Sequence, residues 1–211
     1  MPDDRPYLAP YQRAIEQHGD GFESLLWASR KTQTARFDAI ERLCRPDGLR
    51  LLDAGCGQAD LLEHLIAGGI FPSAYIGIEA MTEHAEAARR KALPRCTIIQ
   101  ADFVNEPHRL LTGSDILIFC GSLNTMDAGT SRRILRIAFE AAAQAVVFNF
   151  LSSPSLAAAS WLTWHERVDV LAFARTLTPD VSAADDYLDG DCTICMRKSA
   201  SQRGRLGRTC L

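Results

Sequence analysis

Short apolar runs alternate with helical patterns along most of this chain. The runs at residues 50–54, 74–79, 96–101, 115–120, 144–150, 181–187 and 192–197 predict seven strands. Alternation of this kind predicts crossover helices packed on a mainly parallel sheet. Residues 59–67 carry Leu61, Leu62, Leu65 and Ile66 on one side and stop at Gly68 and Gly69, as a helix with a glycine end does. A second helix is expected over 81–93, capped by Thr82 and closed before Pro94, and a third over 131–143, repeating Ile134, Leu135, Ile137 and Ala138. Only a short stretch around "LDGDCT" separates the last two strands, too little for a crossover. They are expected to form an antiparallel hairpin with Gly190 in its turn. Ahead of the first strand, Gln33, Arg36, Phe37, Ile40 and Leu43 recur at helical spacing, so residues 1–48 read as a helical cover on the domain at 49–198.

Composition narrows the class. With 211 residues, 47% of them hydrophobic, the chain has material for one sizeable core. The formal charge of −3 gives no general attraction to nucleic acid, but the last fifteen residues hold Arg197, Lys198, Arg203, Arg205 and Arg208 and no acid. Removing those five positive charges leaves −8 for the rest. Residues 199–211 are therefore expected to be a flexible basic tail. Seven cysteines, an odd number scattered partly through apolar runs, suggest a reducing compartment. The start lacks a basic region followed by an apolar one, and the longest apolar stretch, 141–151, is broken by Gln144 and Asn149. The expectation is a soluble cytoplasmic protein, without a membrane partner and either monomeric or homodimeric.

In an open parallel sheet the ligand crevice lies beyond the carboxyl ends of the strands. Asp53-Ala54-Gly55-Cys56-Gly57 ends the first, where absent Cβ atoms let backbone approach a ligand at a helix start. The second ends at Glu79, 24 residues after Gly55, about the offset of an acid that accepts from ribose hydroxyls. A dinucleotide fingerprint wants glycine at Asp60, whose carboxylate is poor company for a pyrophosphate. A ligand with ribose but no phosphate fits better. "QADF" ends the third strand, so Asp102 can accept from an adenine amino group beside Phe103. Together these spacings favour S-adenosylmethionine as the cofactor.

"LRLLDAGCGQADLLEHL", "YIGIEA", "IIQADF" and "DILIFCGSLN" resemble the successive ligand motifs of class I S-adenosylmethionine-dependent methyltransferases over residues 49–198. "LLWASRKTQTARF", "CGSLNTM" and "DDYLDGDCTICMRK" are similar to a subgroup of bacterial small-molecule enzymes within that class. Ala59 departs from the pattern, standing where most members have a third glycine. The resemblance implies a Rossmann-like seven-stranded α/β sheet in the order 3-2-1-4-5-7-6, its last strand antiparallel, with helices on both faces. It also implies that Asp53, Gly55, Cys56 and Gly57 lie against the methionine portion, Glu79 on the ribose, Ala80 beside the adenine, and Asp102 and Phe103 at its edge. Cys120 and Gly121 would accept from the ammonium group through their backbone. Gln33 and Arg36, one turn apart in the cover, are candidates for the carboxylate.

The function expected is methyl transfer to an oxygen or nitrogen of a small-molecule acceptor. A non-catalytic binder of S-adenosylmethionine or S-adenosylhomocysteine is the alternative, and a nucleic-acid methyltransferase a weaker one. Acceptor-side residues are expected from Ser122, Leu123 and Asn124, from Trp161, Trp164 and His165, and from Tyr7, Tyr11 and Trp27, with His165 the candidate base. Cys120, inside an apolar strand, reads as core rather than nucleophile. No metal site is expected: Cys192 and Cys195 have C-x-x-C spacing, but within a strand they face opposite sides.

Overall fold

The structure, a computed structural model, describes residues 5–203. Its seven strands are β1 (Arg50–Ala54), β2 (Ala74–Glu79), β3 (Cys96–Gln100), β4 (Ile116–Phe119), β5 (Ala145–Leu151), β6 (Val181–Ala184) and β7 (Asp191–Arg197). They form one sheet in the order 3-2-1-4-5-7-6, parallel except where β7 runs antiparallel between β5 and β6. Gly190 turns into β7 at φ +78°, a backbone state that glycine adopts without a Cβ penalty.

Strict alternation explains why the central strands read as continuous apolar runs. Leu52, Leu117, Phe119, Val146 and Phe148 enter one core, and Leu51, Ile116, Ile118, Ala145 and Val147 the other. A parallel sheet covered on both faces requires this of every central strand. Cys192 and Cys195 divide between the two cores in the same way. The first core is closed by α5 (Ala128–Ala141) and α6 (Arg167–Leu177), through Ile134, Leu135, Ala138 and Ala174. The second is closed by α2 (Arg30–Cys44), α3 (Asp60–Ala67) and α4 (Thr82–Arg90), through Phe37, Ile40, Leu61, Leu62, Leu65 and Ala88.

Before β1 the chain forms α1 (Ala9–His18), a short 3-10 helix (Phe22–Leu25) and α2. Ser29 starts α2 with a reciprocal pair of bonds: its Oγ accepts from Thr32 N–H, and its own N–H donates to Thr32 Oγ1, both at 3.1 Å. Two helix starts differ from expectation. Thr82 caps nothing; its Oγ1 accepts instead from Gln100 Nε2 at 2.7 Å, and α4 starts after Met81. Helix α5 begins three residues earlier than periodicity indicated, because Asp127 accepts from Thr130 N–H at 2.9 Å and caps it. The last short helix, α7 (Ala200–Arg203), follows β7, and residues 204–211 of the expected tail lie outside the described residues.

Leu65 on α3 is fully buried between the helix and β1. Replacing it, Leu65→Ala, removes three buried carbons from a site that cannot collapse completely, so unfolding free energy should fall by about 2 to 5 kcal/mol in urea denaturation.

Candidate active site

Parallel register sets the site. Ala54 pairs with Ile78, Asp53 with Ile118, and Glu79 with Gln100, so Gly55, Glu79, Asp102 and Cys120 leave the sheet at nearly one level. Gly55 and Cys56 both donate their N–H to Ile78 O, turning the chain sharply after β1. Gly55 has φ +79°, and a Cβ there would sit 2.5 Å from Ser122 Cβ, so this turn needs glycine. Ala59 holds φ +59° at the start of α3, which accounts for the usual glycine there; alanine bears that strain with a buried methyl. Cys56 turns its Sγ onto Gly77 of β2, where any Cβ would lie 2.6 Å away.

Glu79 is the hub of this end of the sheet. One carboxylate oxygen accepts from Gly57 N–H at 2.9 Å and the other from Met81 N–H at 2.8 Å. Each oxygen keeps a lone-pair direction for a further donor. Burial pushes the Glu79 carboxyl upward, and the backbone donors oppose that rise. Asp102 accepts from Val104 N–H at 3.0 Å, Asn105 Nδ2 at 3.1 Å and Tyr7 Oη at 2.7 Å. Asp53 accepts from Tyr75 Oη at 2.6 Å, while its second oxygen is buried without a partner. Desolvation raises the Asp53 carboxyl to about 7, against the opposing Tyr75 bond.

These groups line one cleft of about 170 Å³, and the chain ahead of β1 supplies its opposite wall. Leu25 reaches over Gly57 and the Trp27 ring over Gly121, each within 3 Å of where a Cβ would stand. Arg36 lies under the Trp27 ring and donates to Asp191 from Nε at 2.7 Å and Nη2 at 2.5 Å. Gln33 donates to Asp60 at 2.8 Å, and Lys91 completes that acid's ion pairing. Gly121 N–H donates to Asn149 Oδ1 at 2.6 Å, and Ser122 Oγ to Ala54 O at 2.7 Å, tying the β4 and β1 turns together.

No protein-family model and no curated protein sequence matches the chain. Solved structures do. A pyocyanin biosynthetic protein, PhzM, superposes with a TM-score of 0.68 at 18% identity, over 90% of this chain and 62% of that one. The DhpI complex with SAH gives 0.66 at 16% identity, covering 93% and 97%. Magnesium protoporphyrin IX methyltransferase from Synechocystis PCC 6803, with bound SAM, gives 0.64 at 15%, covering 93% and 94%. This chain has the class I methyltransferase fold.

Within that fold, most of the sequence-derived candidates converge. Gln33, Arg36, Asp53, Gly55, Cys56, Gly57, Glu79, Ala80, Asp102, Phe103, Cys120, Gly121, Ser122 and Asn124 all line the cleft. Phe103 turns its ring into the core, edge-on to Phe119 at 5.6 Å, leaving its backbone toward the cleft. Tyr7, Tyr11, Trp27 and Trp161 line it too. His165 does not: it lines a separate, smaller cavity behind the β4–α5 turn, where burial and Arg132 lower its imidazole. Trp164 is exposed. Sequence alone did not single out Asp191 and Asn149, which bond the lining residues Arg36 and Gly121, or His84, which lines the cleft itself. Asp191 holds Arg36 across 155 positions, a pairing with no local signal. His84 is nearly buried, shares a 2.8 Å bond with Ser24, and is lowered to about 4 by desolvation. Among the described residues one metal-capable group gathers, Asp38, Glu41 and His64, with ligand atoms within 4.8 Å, outside the cleft wall.

The buried Asp53 carboxyl has a sign consequence for stability. Its folded value is raised above the unfolded one, so the native state holds the proton more tightly, and Asp53 subtracts from stability as pH rises from about 4 to about 7. Asp53→Asn keeps an acceptor for Tyr75 without the charge. Denaturation midpoints measured across that window should therefore move in the variant's favour with rising pH; a constant difference would mean Asp53 does not titrate there.

Proposed function

We propose that this chain is an S-adenosylmethionine-dependent methyltransferase acting on a small molecule. The observation that carries the reading is the unpartnered Asp53 oxygen in a cleft that also holds Glu79 and Asp102 at successive strand ends. Those donor-poor, acceptor-rich walls fit an adenosyl amino acid, whose ribose hydroxyls, adenine amino group and ammonium are all donors. Glu79 takes the two ribose hydroxyls on its remaining lone pairs, with its orientation fixed by Gly57 and Met81. Asp102 accepts from the adenine amino group, and Ala80 flanks the ring. Asp53 and the backbone at Cys120 and Gly121 receive the ammonium. For the carboxylate, Arg36 keeps the donors on Nη1 after bonding Asp191 through Nε and Nη2, and Gln33 stands beside it.

When bound, S-adenosylmethionine supplies a methyl group already activated by a sulfonium. The chain's own task is then alignment and exclusion of water. Trp27 over Gly121 and Leu25 over Gly57 give the cover this second role, closing the methionine end. Ser122 braces the two turns through Ala54, and Asn124 stands on the acceptor side. Residues 1–48 act as the cover and 49–198 as the catalytic unit. Among the described residues no helix is long and apolar enough to cross a membrane, which suits a dissolved acceptor.

Titration calorimetry with S-adenosylhomocysteine tests the reading directly. Saturable heat is expected, and its absence at about millimolar ligand would remove the cofactor assignment. Glu79→Ala should weaken binding by at least about tenfold to a hundredfold, the loss expected from a single hydrogen bond to a charged acceptor at about 1.5 to 3 kcal/mol. Affinity should also rise with pH through about 7, because a cation favours the ionised Asp53, and this rise should vanish in Asp53→Asn.

A further inference from the structure

The cleft has two chemically different halves. Its charged lining residues are Arg36, Asp53, Asp60, Glu79 and Asp102, all contributed before β4. Among the described residues, those of the wall that follow Gly121 in the chain are uncharged, from Ser122 and Asn124 to Leu151, Trp161 and Leu188. Aromatic side chains also line the cleft, Tyr11 and Trp27 from the cover and Trp161 from the β5–α6 loop. Asn124 is buried, and its Oδ1 has no hydrogen-bond partner. An orphaned carbonyl in a wall without charge calls for a donor on the acceptor molecule.

Resting on the methyl-transfer reading above, we propose that the acceptor is an uncharged, planar aromatic molecule and that its nucleophile is a neutral aryl or heteroaryl amine nitrogen. Charge and proton balance select it. A carboxylate acceptor would meet no cation in the outer half. An alkylamine is protonated at neutral pH, like a lysine side chain, so it has neither a lone pair nor a carboxylate to pair with there. A phenol must give up its proton to a base; His165 lies in another cavity, and His84, bonded to Ser24 and lowered to about 4 by desolvation, is too weak a base to take it. The Tyr11 hydroxyl is raised by burial and by Glu79, so it stays protonated rather than serving as that base. An arylamine keeps its lone pair at neutral pH and still carries N–H donors. One N–H donates to Asn124 Oδ1. The nitrogen lone pair forms the new N–CH₃ bond as the methyl–sulfur bond breaks, its electron pair staying on sulfur to give the neutral thioether. The nitrogen, now cationic, meets no anion among the described wall residues that follow Gly121 and releases its extra proton to water.

Four probes on one carbon framework separate these choices: aminonaphthalene, naphthol, naphthylmethylamine and naphthoate. Each is titrated into the S-adenosylhomocysteine complex, followed by tryptophan fluorescence, and then supplied with S-adenosylmethionine while thioether release is measured. Aminonaphthalene should bind at least tenfold more tightly than the ammonium or carboxylate probe, and it alone should be methylated. Asn124→Leu should weaken aminonaphthalene about tenfold at unchanged affinity for S-adenosylhomocysteine. Equal or tighter binding of naphthoate or naphthylmethylamine, turnover of naphthol with aminonaphthalene inert, or no binding by any of the four would overturn the proposal. Binding of S-adenosylhomocysteine itself is read separately by calorimetry, so failure of the acceptor assignment is distinct from failure of the cofactor assignment.

Discussion

The carboxylate of Glu79 joins the two turns on which the site is built. It sits at the end of β2, accepts from Gly57 in the turn after β1, and accepts again from Met81 at the entry to α4. A buried carboxylate left without such donors would be costly, and the two amides would themselves lack partners. Their mutual satisfaction holds β1, β2 and the start of α4 at a fixed separation, with two lone-pair directions still open. Neighbouring strand ends are fixed by similar bonds: Asp102 through Val104 and Asn105, Gly121 through Asn149, and Ser122 through Ala54. A ligand entering the cleft meets acceptors that are already oriented, so little ordering remains to be done on binding.

The cover adds a constraint of a different kind. Tyr7 donates to Asp102, Ser24 bonds His84, and Arg36 reaches Asp191, so the chain ahead of β1 is tied to three separate places: the turn after β3, α4 and β7. Leu25 and Trp27 occupy the space that glycines leave above Gly57 and Gly121. The absent Cβ atoms therefore serve two purposes. They permit the tight turns after β1 and β4, and they let the cover come down onto the methionine end. A cleft closed in this way keeps water from an activated methyl donor, for which hydrolysis is the competing loss.

Much of the fold was legible because burial on both faces leaves little freedom in composition: β1, β4 and β5 are apolar at both parities, and their ends were placed within a residue or two. The hairpin followed from the short connection ahead of Asp191. Less legible were helix starts decided by one side chain. Thr82 has the chemistry of a cap but is taken by Gln100, whereas Asp127 caps α5 from within "MDAGT", four residues before the periodic pattern begins. At the site, residues fixed by strand register were readable, since Asp53, Glu79 and Asp102 end adjacent strands. Partnerships made across the fold were not: neither the Arg36–Asp191 pair nor the engagement of Asp60 by Gln33 and Lys91 leaves a local trace. His165 illustrates the same limit. A histidine in the β5–α6 loop is near the cleft in sequence, but the backbone bond from its N–H to Leu151 O sets it behind the β4–α5 turn.

The central claim is that one adenosyl ligand spans the ends of β1, β2 and β3. A crystal structure of the chain with S-adenosylhomocysteine tests it most directly. The account predicts ribose hydroxyls on Glu79, the adenine amino group on Asp102 and the ammonium at Asp53, with Trp27 above Gly121. A ligand seated elsewhere, or adenine turned away from Asp102, would contradict it.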